Sequence, residues 1–407
     1  MEGTETEQPP PPVTGPRAAF RLVRQRDFGP YFAGNAISAS GTWFQNLAAA
    51  LLVYRLTGSE LLLGVLNFAQ FAAIIVLAPW TGAAADRLDQ KRLLLTTQFG
   101  ATALTAVLAG LAWQHLAGTA VVIVFALGLG VGSAFAAPVQ QAFVASLVPP
   151  HDLRSAIALN SMTFNLARAV GPALAAVTVA QLGIPAAFAI NSVSYLVFAA
   201  AVLYVRPRPA RRAERGTAKL RESLRLVRSD QRLLALLLVV AAVGFASDPI
   251  NTLAPAFANS FGFRDVVGGY IIGAFGGGAV LAALVLAGRE ATRRQVMLTL
   301  LVLVAGVAGF SVSPWLALGL PILVLGGFGY LASNTAATAR LQLEVEDHQR
   351  GRIMALWSIA FLGLRPFASL LDGAIASAAG VRVAGVVLTL PALGAAAFLL
   401  YRERRGA

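Results

Sequence analysis

The sequence predicts an all-α membrane protein, with twelve transmembrane helices in two pseudo-symmetric six-helix bundles. Three observations lead there. First, 57% of the 407 residues are hydrophobic and only 13% are charged, with a mean hydropathy of +0.70. A water-soluble globule carries about a quarter of its residues charged. Second, apolar runs long enough to cross hydrocarbon, about 17–25 residues, recur along nearly the whole chain. In lipid each such run must be a helix, because no lipid-facing backbone group can stay unpaired. Third, the second half of the chain echoes the first in residues that apolar composition alone does not supply.

The elements follow in order. Residues 1–27 form a tail and a pre-helix. The acidic, Pro-rich stretch "MEGTETEQPPPPVTGP" predicts disorder, and it lacks the basic start and apolar core of a cleavable signal. Charges, Gly/Pro punctuation and polar clusters then divide the chain. Spans 1–6 run over 28–56, 61–83, 93–115, 120–146, 153–181 and 184–205, which makes 28–205 the first bundle. The linker 206–231 is strongly basic. Within it Leu220, Leu224 and Val227 recur at helical spacing, with Arg221, Arg225, Arg228 and Arg232 on another side. That pattern suits an amphipathic helix on anionic headgroups, and equally a tether between two halves. Spans 7–12 run over 232–257, 265–288, 294–312, 314–342, 351–377 and 380–402, within a second bundle of 232–407.

Charge gives the orientation. The tail, the even-numbered loops and the C-terminus hold 26 of the 32 Lys and Arg residues, whereas the opposite loops hold only Arg55, Arg264 and Arg382. By the positive-inside rule the first face is cytoplasmic, with both termini on it. The same rule accounts for the net charge of +13 without nucleic acid. The absence of cysteine excludes disulfides and thiolate metal sites.

The repeat is legible without gaps. "VPPHDLRSAIALNSMTFNLAR" (148–168) aligns with "VEDHQRGRIMALWSIAFLGLR" (345–365), which pairs His151 with His348 and Arg168 with Arg365. At the same offset Gly130 and Gly132 fall on Gly327 and Gly329, and "LVRQRDF" at 22–28 is echoed by "LVRSDQR" at 226–232. Parallel six-helix repeats point to a carrier whose site lies between the halves near mid-membrane.

Between spans 2 and 3 lies "GAAADRLDQKRLL", residues 82–94, the densest mixed-charge knot in the chain. Gly82, Asp86, Arg87, Lys91 and Arg92 resemble the signature loop of the major facilitator superfamily, with Asp89 where a second glycine is usual. The "ADRLDxxR" form is similar to that of the drug- and siderophore-exporting branch, in the manner of the enterobactin exporter. "AVGPALAA" (169–176), close to the Gly-Pro motif of antiporters, and the start "RDFGPYFAGNAISASGTWF" add to the likeness, although the branch's frequent helix 1 Asp is here Thr42. The resemblance covers essentially the whole chain. It implies a plasma-membrane secondary transporter, inner-membrane by likeness to bacterial relatives, that exports amphipathic small molecules by alternating access in exchange for protons. It also implies a monomer that needs no cofactor or metal. An uncoupled facilitator or importer would use the same scaffold.

In that family the loop meets the start of helix 11, here Gly351 and Arg352. An Asp at a helix end accepts N–H groups where the facing macrodipole is positive, which latches the cytoplasmic side. The plainer account is an anchor of helix ends. It explains Arg87, Lys91 and Arg92, but not an Asp four residues after a Gly.

Few ionisable groups lie inside the spans, where each costs about 2.5–3.5 kcal/mol. Arg168 and Arg365 sit about 14 residues into their helices, near the midplane at roughly 21 Å. They are candidates either for anionic substrate groups or for neutralising freed carbonyls. Asp248 is the proton-coupling candidate, since a carboxylate held away from water can take up and release a proton as its surroundings change. Asp372 lies nearer the outer end of span 11. Pro249 and Pro366 directly follow Asp248 and Arg365, freeing the carbonyls of Phe245 and Leu362. With Pro172 in span 5 they mark hinges. Asn35, Gln45, Gln140, Gln141, Asn251 and Asn334, on the helices that face the cleft in this fold, are cavity candidates. Gly128, Gly132, Gly273 and Gly277 are candidates for close helix packing. No His-Glu-x-x-His pattern, Gly-x-Ser-x-Gly elbow or phosphate-binding loop occurs, so nothing favours a membrane-embedded enzyme.

Overall fold

A computed structural model describes residues 16–208, 227, 230–286, 291–345, 353, 354 and 356–406, with side chains for most of them. Among the described residues every regular element is helical. The first bundle comprises α1 (Phe28–Thr57), α2 (Glu60–Arg87), α3 (Gln90–Trp113), α4 (Thr119–Leu147), α5 (Leu153–Leu182) and α6 (Ile184–Tyr204). The second comprises α7 (Gln231–Thr252), α8 (Gly268–Leu286), α9 (Arg293–Val312), α10 (Leu316–Leu343), α11 (Arg365–Ala379) and α12 (Leu390–Gly406). Most of the predicted linker lies outside the described residues.

Local chemistry explains the boundaries. Gly58 ends α1 in the left-handed region at φ 62°, where a side chain would be strained, and Ser59 caps α2 by accepting the Leu62 N–H. Asp89, in the place of the expected glycine, caps α3 by accepting the Arg92 N–H at 2.7 Å. Asp230 and Thr292 do the same for α7 and α9.

Among the described residues eleven segments are long and apolar enough to cross a membrane. Although α1 is 30 residues long, it falls outside that group, since Asn35, Gln45 and Asn46 interrupt its apolar run. Three predicted spans are discontinuous. Span 7 breaks at Leu253 and resumes as a short helix, Ala254–Ser260, whose first turn holds Pro255. Span 11 passes through a π-helical stretch, Ile359–Gly363, before restarting at Arg365 with Pro366 in the first turn. Span 12 is a short helix, Val381–Val387, followed by α12. In the first two cases a proline without an N–H ends one hydrogen-bond ladder and opens the next.

The halves repeat each other in packing. In the first, α1 lies against α5 and α6, α2 against α4, and α3 against α4 and α6. In the second, α7 lies against α11 and α12, α8 against α10, and α9 against α10 and α12. Gly130 and Gly327, paired by the sequence repeat, occupy matching places: a methyl group on either would overlap the backbone of the partner helix, at Gln70 and at Phe275. Of the glycines expected to pack closely, Gly128 and Gly273 do, but Gly132 and Gly277 face open space.

Two seams join the halves, α2 with α11 and α5 with α8. Both are tightest toward the end opposite the basic face. There Gly64 and Gly373 bring α2 and α11 together, and Gly269 and Gly276 bring α8 against Pro172 and Ala169. At the same end Arg55 forms a two-pronged pair with Asp265, Nε–Oδ2 2.6 Å and Nη2–Oδ1 3.1 Å. Along α5 the buried seam stripe of Ala169, Pro172 and Ala176 gives way to exposed Ala158, Ser161 and Met162 nearer the basic end. Along α2, Ile75 and Ala78 are likewise exposed. The halves therefore close at one end and part at the basic end.

Candidate functional site

Both mid-membrane arginines converge on one turn of α7. Asp248 is 1% exposed; its Oδ1 accepts Arg365 Nε at 3.1 Å, and its Oδ2 accepts Ser369 Oγ at 2.7 Å and Thr252 Oγ1 at 2.9 Å. One helical step further on, Asn251 Oδ1 accepts Arg168 Nη2 at 3.2 Å. Arg168 belongs to the first half and Asn251 to the second, so this bond crosses between the halves.

Aromatic rings complete the setting. The Arg168 guanidinium lies 4.4 Å from the Tyr330 ring, 5.2 Å from Phe275 and 5.5 Å from Trp43. Arg365 reciprocates from the second half by lying 4.8 Å over Phe71 of the first. A planar, weakly hydrated guanidinium stacks on such faces where an ammonium would stay hydrated. This is how one buried and one largely buried cation are kept with a single ion pair between them: Arg365 has Asp248, while Arg168 has rings and an amide.

Asp372 is the acid that deepens the site. It is fully buried, it stands within hydrogen-bond reach of Asp248, and among the described residues neither of its carboxylate oxygens meets an N–H or hydroxyl donor. Two adjacent carboxylates can bond only when one carries a proton and becomes a donor. Arg365, Ser369 and Asp372 recur at helical spacing, and so do Asp248 and Thr252. Sequence reasoning placed Asp372 toward the outer end and missed this face. Trp43, Phe71, Phe275 and Tyr330 reach the arginines from four other helices, so no local pattern could have announced them.

Two cavities adjoin. A small one of about 30 Å³ bridges the halves, with Asn46, Asn67, Gln70, Asn251 and Arg365 on its wall; Gln70 donates to Asn46 across it at 2.9 Å. A larger one of about 380 Å³ lies wholly within the first bundle.

The other sequence candidates divide. Asn35 donates to Asn160 Oδ1 at 2.7 Å and, with Gln140, lines the larger cavity. Gln45 touches the small cavity, but its Oε1 accepts Thr105 and Asn191 inside the first bundle, at 3.0 and 2.6 Å. It ties α1 to α3 and α6 and has no acceptor free to offer a ligand. Gln141 is exposed and lines neither cavity; Asn334 lines neither, and its Oδ1 is buried without a partner among the described residues. In the loop after α2, Lys91 Nζ donates to the last carbonyls of α6, Leu203 and Val205, both at 2.8 Å. Lys91 is thus an anchor within the first half. Arg87 and Arg92 are exposed. Gly82 and Asp86 fall within α2, but the Asp86 side chain and Arg352 lie outside the described residues. Asp152, at the start of α5, is buried and pairs with Arg21 at 2.5 Å, docking the short helix Pro16–Val23 on the basic face.

Comparison with known proteins shows the family and the fold. The family described as "Transmembrane secretion effector" matches residues 17–405. The staphyloferrin A transporter of Staphylococcus aureus is 29% identical over 168 residues, 41% of this chain and 42% of that protein. Macrolide efflux protein A of Streptococcus pyogenes is 24% identical over 265 residues, 60% of this chain and 65% of that one. The chain thus spans under two thirds of the length of these relatives. Among solved structures, a bacterial homologue of the human lysosomal transporter Spinster, in an inward-facing and unoccupied conformation, superposes with a TM-score of 0.72. It shares 16% identity and covers 96% of this chain and 98% of its own. The nucleoside transporter NupG superposes with a TM-score of 0.67 at 12% identity, covering 94% and 98%. These two likenesses establish the fold alone.

Proposed function

The chain belongs to the transmembrane secretion effector family of major facilitator transporters, and on that premise we propose that it exports amphipathic small molecules from the cell by alternating access, in exchange for protons. The basic face is cytoplasmic by the positive-inside rule, so the parted end described above is the inward-open side of a plasma-membrane protein. Relatives named as a staphyloferrin A transporter and as a macrolide efflux protein support a small-molecule substrate and its export.

The observation that carries the proposal is the meeting of Arg168 and Arg365 on the Asp248–Asn251 turn of α7. A proton arriving on Asp248 removes its charge, and with it a charge-assisted bond worth roughly 1.5–3 kcal/mol. A bias of that size shifts a two-state equilibrium by about 10- to 150-fold. Asp372 extends the device: protonated, it donates to Asp248, so one proton is held between α7 and α11. Pro249 and Pro366 stand beside the two charged ends of the bridge and let each helix bend as it opens. Arg168 holds α7 from the other half through Asn251, and its release frees the halves to rock; the Arg365 pair joins α7 to α11 within the second half and reaches the first only through the Phe71 ring. Asp86, Arg87 and Arg352 are assigned the contact that closes the cytoplasmic side in the opposite state.

In proteoliposomes an imposed pH gradient is expected to drive flux of an amphipathic dye, and Asp248→Asn is expected to abolish that drive while downhill exchange continues. Gradient-driven flux that survives the substitution refutes Asp248 as the coupling acid. Flux indifferent to pH in the unaltered protein refutes antiport and leaves a facilitator.

A further inference from the structure

Where α3 and α6 lie against each other, the flank of the first bundle ends in a cluster of cations. Two ties fix the pairing of these helices. Lys91 Nζ donates to the Leu203 carbonyl at 2.8 Å, and Ser192 Oγ donates to the Thr102 carbonyl at 3.1 Å. From one tie to the other is eleven residues forward along α3 and eleven back along α6, so the helices run antiparallel in one register. At the basic-face end Asp27 Oδ1 accepts the Arg206 N–H at 3.0 Å, which brings the segment before α1 to the same corner. Of the acids described there, Asp27 is bonded to that backbone N–H and Asp89 to the Arg92 N–H. The side chains of Arg26, Arg92, Arg206 and Arg208 are exposed, and among the described residues none has an ion-pair or hydrogen-bond partner.

Beneath the cations both helices turn apolar side chains outward. On α6 Leu196, Ala200 and Leu203 are exposed at spacings of four and three; on α3 Phe99 and Ala103 are exposed, seven and eleven residues beyond Arg92. Such spacings keep each set on one helical face. None of the five lines either cavity, so these faces meet the surroundings of the bundle, which are lipid. Leu196 lies eight residues inside the end of α6 and Phe99 nine inside the start of α3, about 12–14 Å at the helical rise, or one leaflet of hydrocarbon. Ala200, between two leucines, leaves a shallow gap below Arg206. Tyr204, 58% exposed at the last position of α6, stands at the headgroup level that an amphipathic ring favours.

We infer that this corner is a binding site for an anionic phospholipid, with its headgroup phosphate on Arg92 and Arg206 and an acyl chain along the exposed faces of α3 and α6. Charge complementarity selects the headgroup, because a guanidinium bonds two phosphate oxygens at once and each basic residue near the surface adds to the attraction. The apolar faces select a lipid over a soluble phosphate, which would leave them uncovered. Lys91, by clamping the start of α3 to the last carbonyls of α6, holds the two arginines at one level. The site goes beyond the transport reading and does not depend on it.

The chain contains no cysteine, so a single introduced one serves as reporter. Val193→Cys, at a 58% exposed position one turn beyond Leu196, carries a bimane in vesicles of phosphatidylcholine. Acyl-brominated phosphatidylglycerol or acyl-brominated phosphatidylcholine is then introduced stepwise, and quenching gives each lipid's association constant at the label. The ratio is expected to favour phosphatidylglycerol by about threefold or more. With Arg92→Gln and Arg206→Gln together it is expected to fall by at least about half, and Arg206→Gln alone serves if the pair does not fold. Excess inorganic phosphate is expected to leave the ratio unchanged. A ratio under about threefold in the parent chain, or a smaller fall in the folded variant, overturns the inference. Loss of the preference to inorganic phosphate also overturns it, and assigns the cluster to free anions. Gradient-driven flux is measured separately, so failure here with that flux retained removes the lipid site and leaves the transport reading standing.

Discussion

The Asp248–Arg365 bridge makes the sharpest quantitative claim, because its two halves can be removed singly and together. Asp248 is 1% and Arg365 14% exposed on their side chains, so solvent screens the pair little. Asp248→Asn leaves Arg365 a buried cation without its carboxylate, a loss of about 3–5 kcal/mol for a buried pair broken on one side. Asparagine can still accept from Ser369 and Thr252, so the cost falls on the lost charge. Arg365→Gln strands Asp248 beside Asp372 and also forfeits the stack on Phe71, about 0.5–2 kcal/mol. Its loss lies at the upper end. In the double variant neither charge remains, and the total is expected to fall short of the sum by about 1.5–3 kcal/mol, the worth of one charge-assisted bond. Sodium dodecyl sulfate unfolding in mixed micelles, followed by tryptophan emission, measures all four corners of the cycle. Single losses that add to the double within about 0.5 kcal/mol would show that the two residues do not act on each other.

Three further outcomes are expected. Gly276→Val sets side-chain carbons against the Ala169 backbone, so electron–electron distances between spin labels on the far ends of α5 and α8 should lengthen; an unchanged distribution means that seam does not close the outer side. Lys91→Gln strips a charged donor from the α6 carbonyls and should cost about 0.5–1.5 kcal/mol of thermal stability while transport persists, whereas a shift in conformational bias at full stability would return Lys91 to the latch. Asp86→Asn should move a cytoplasmic accessibility reporter toward the inward-open form, and a reporter that stays put leaves the loop an anchor of helix ends.

Much of the site was visible as residue types but not as partners. Arg168, Arg365 and Asp248 stand out because a charge in an apolar run is costly wherever it points. Which charge meets which is not a local property. Arg365 reaches back 117 residues to Asp248, and Arg168 forward 83 residues to Asn251. The amides expected in one cleft show the same limit. Helical periodicity puts Gln45 on α1 but cannot say that its Oε1 is consumed by Thr105 and Asn191 within the bundle. In the sequence Asp372 lies nearer the outer end of span 11, yet seven residues from Arg365 is two turns along the same face, and packing against α7 buries it completely.

Hydropathy, the distribution of Arg and Lys and the gapless repeat determined the helical class, the halving of the chain and the family likeness, because each reflects the solvent that a segment meets. Tertiary packing alone decided that the halves close at the end away from the basic face, that Lys91 anchors α6, and that α7 receives both arginines. It also decided that the roomier polar cavity belongs to the first bundle. Those outcomes depend on contacts between distant helices, where glycine-sized clearances and the reach of single side chains select among arrangements that share one pattern of hydropathy.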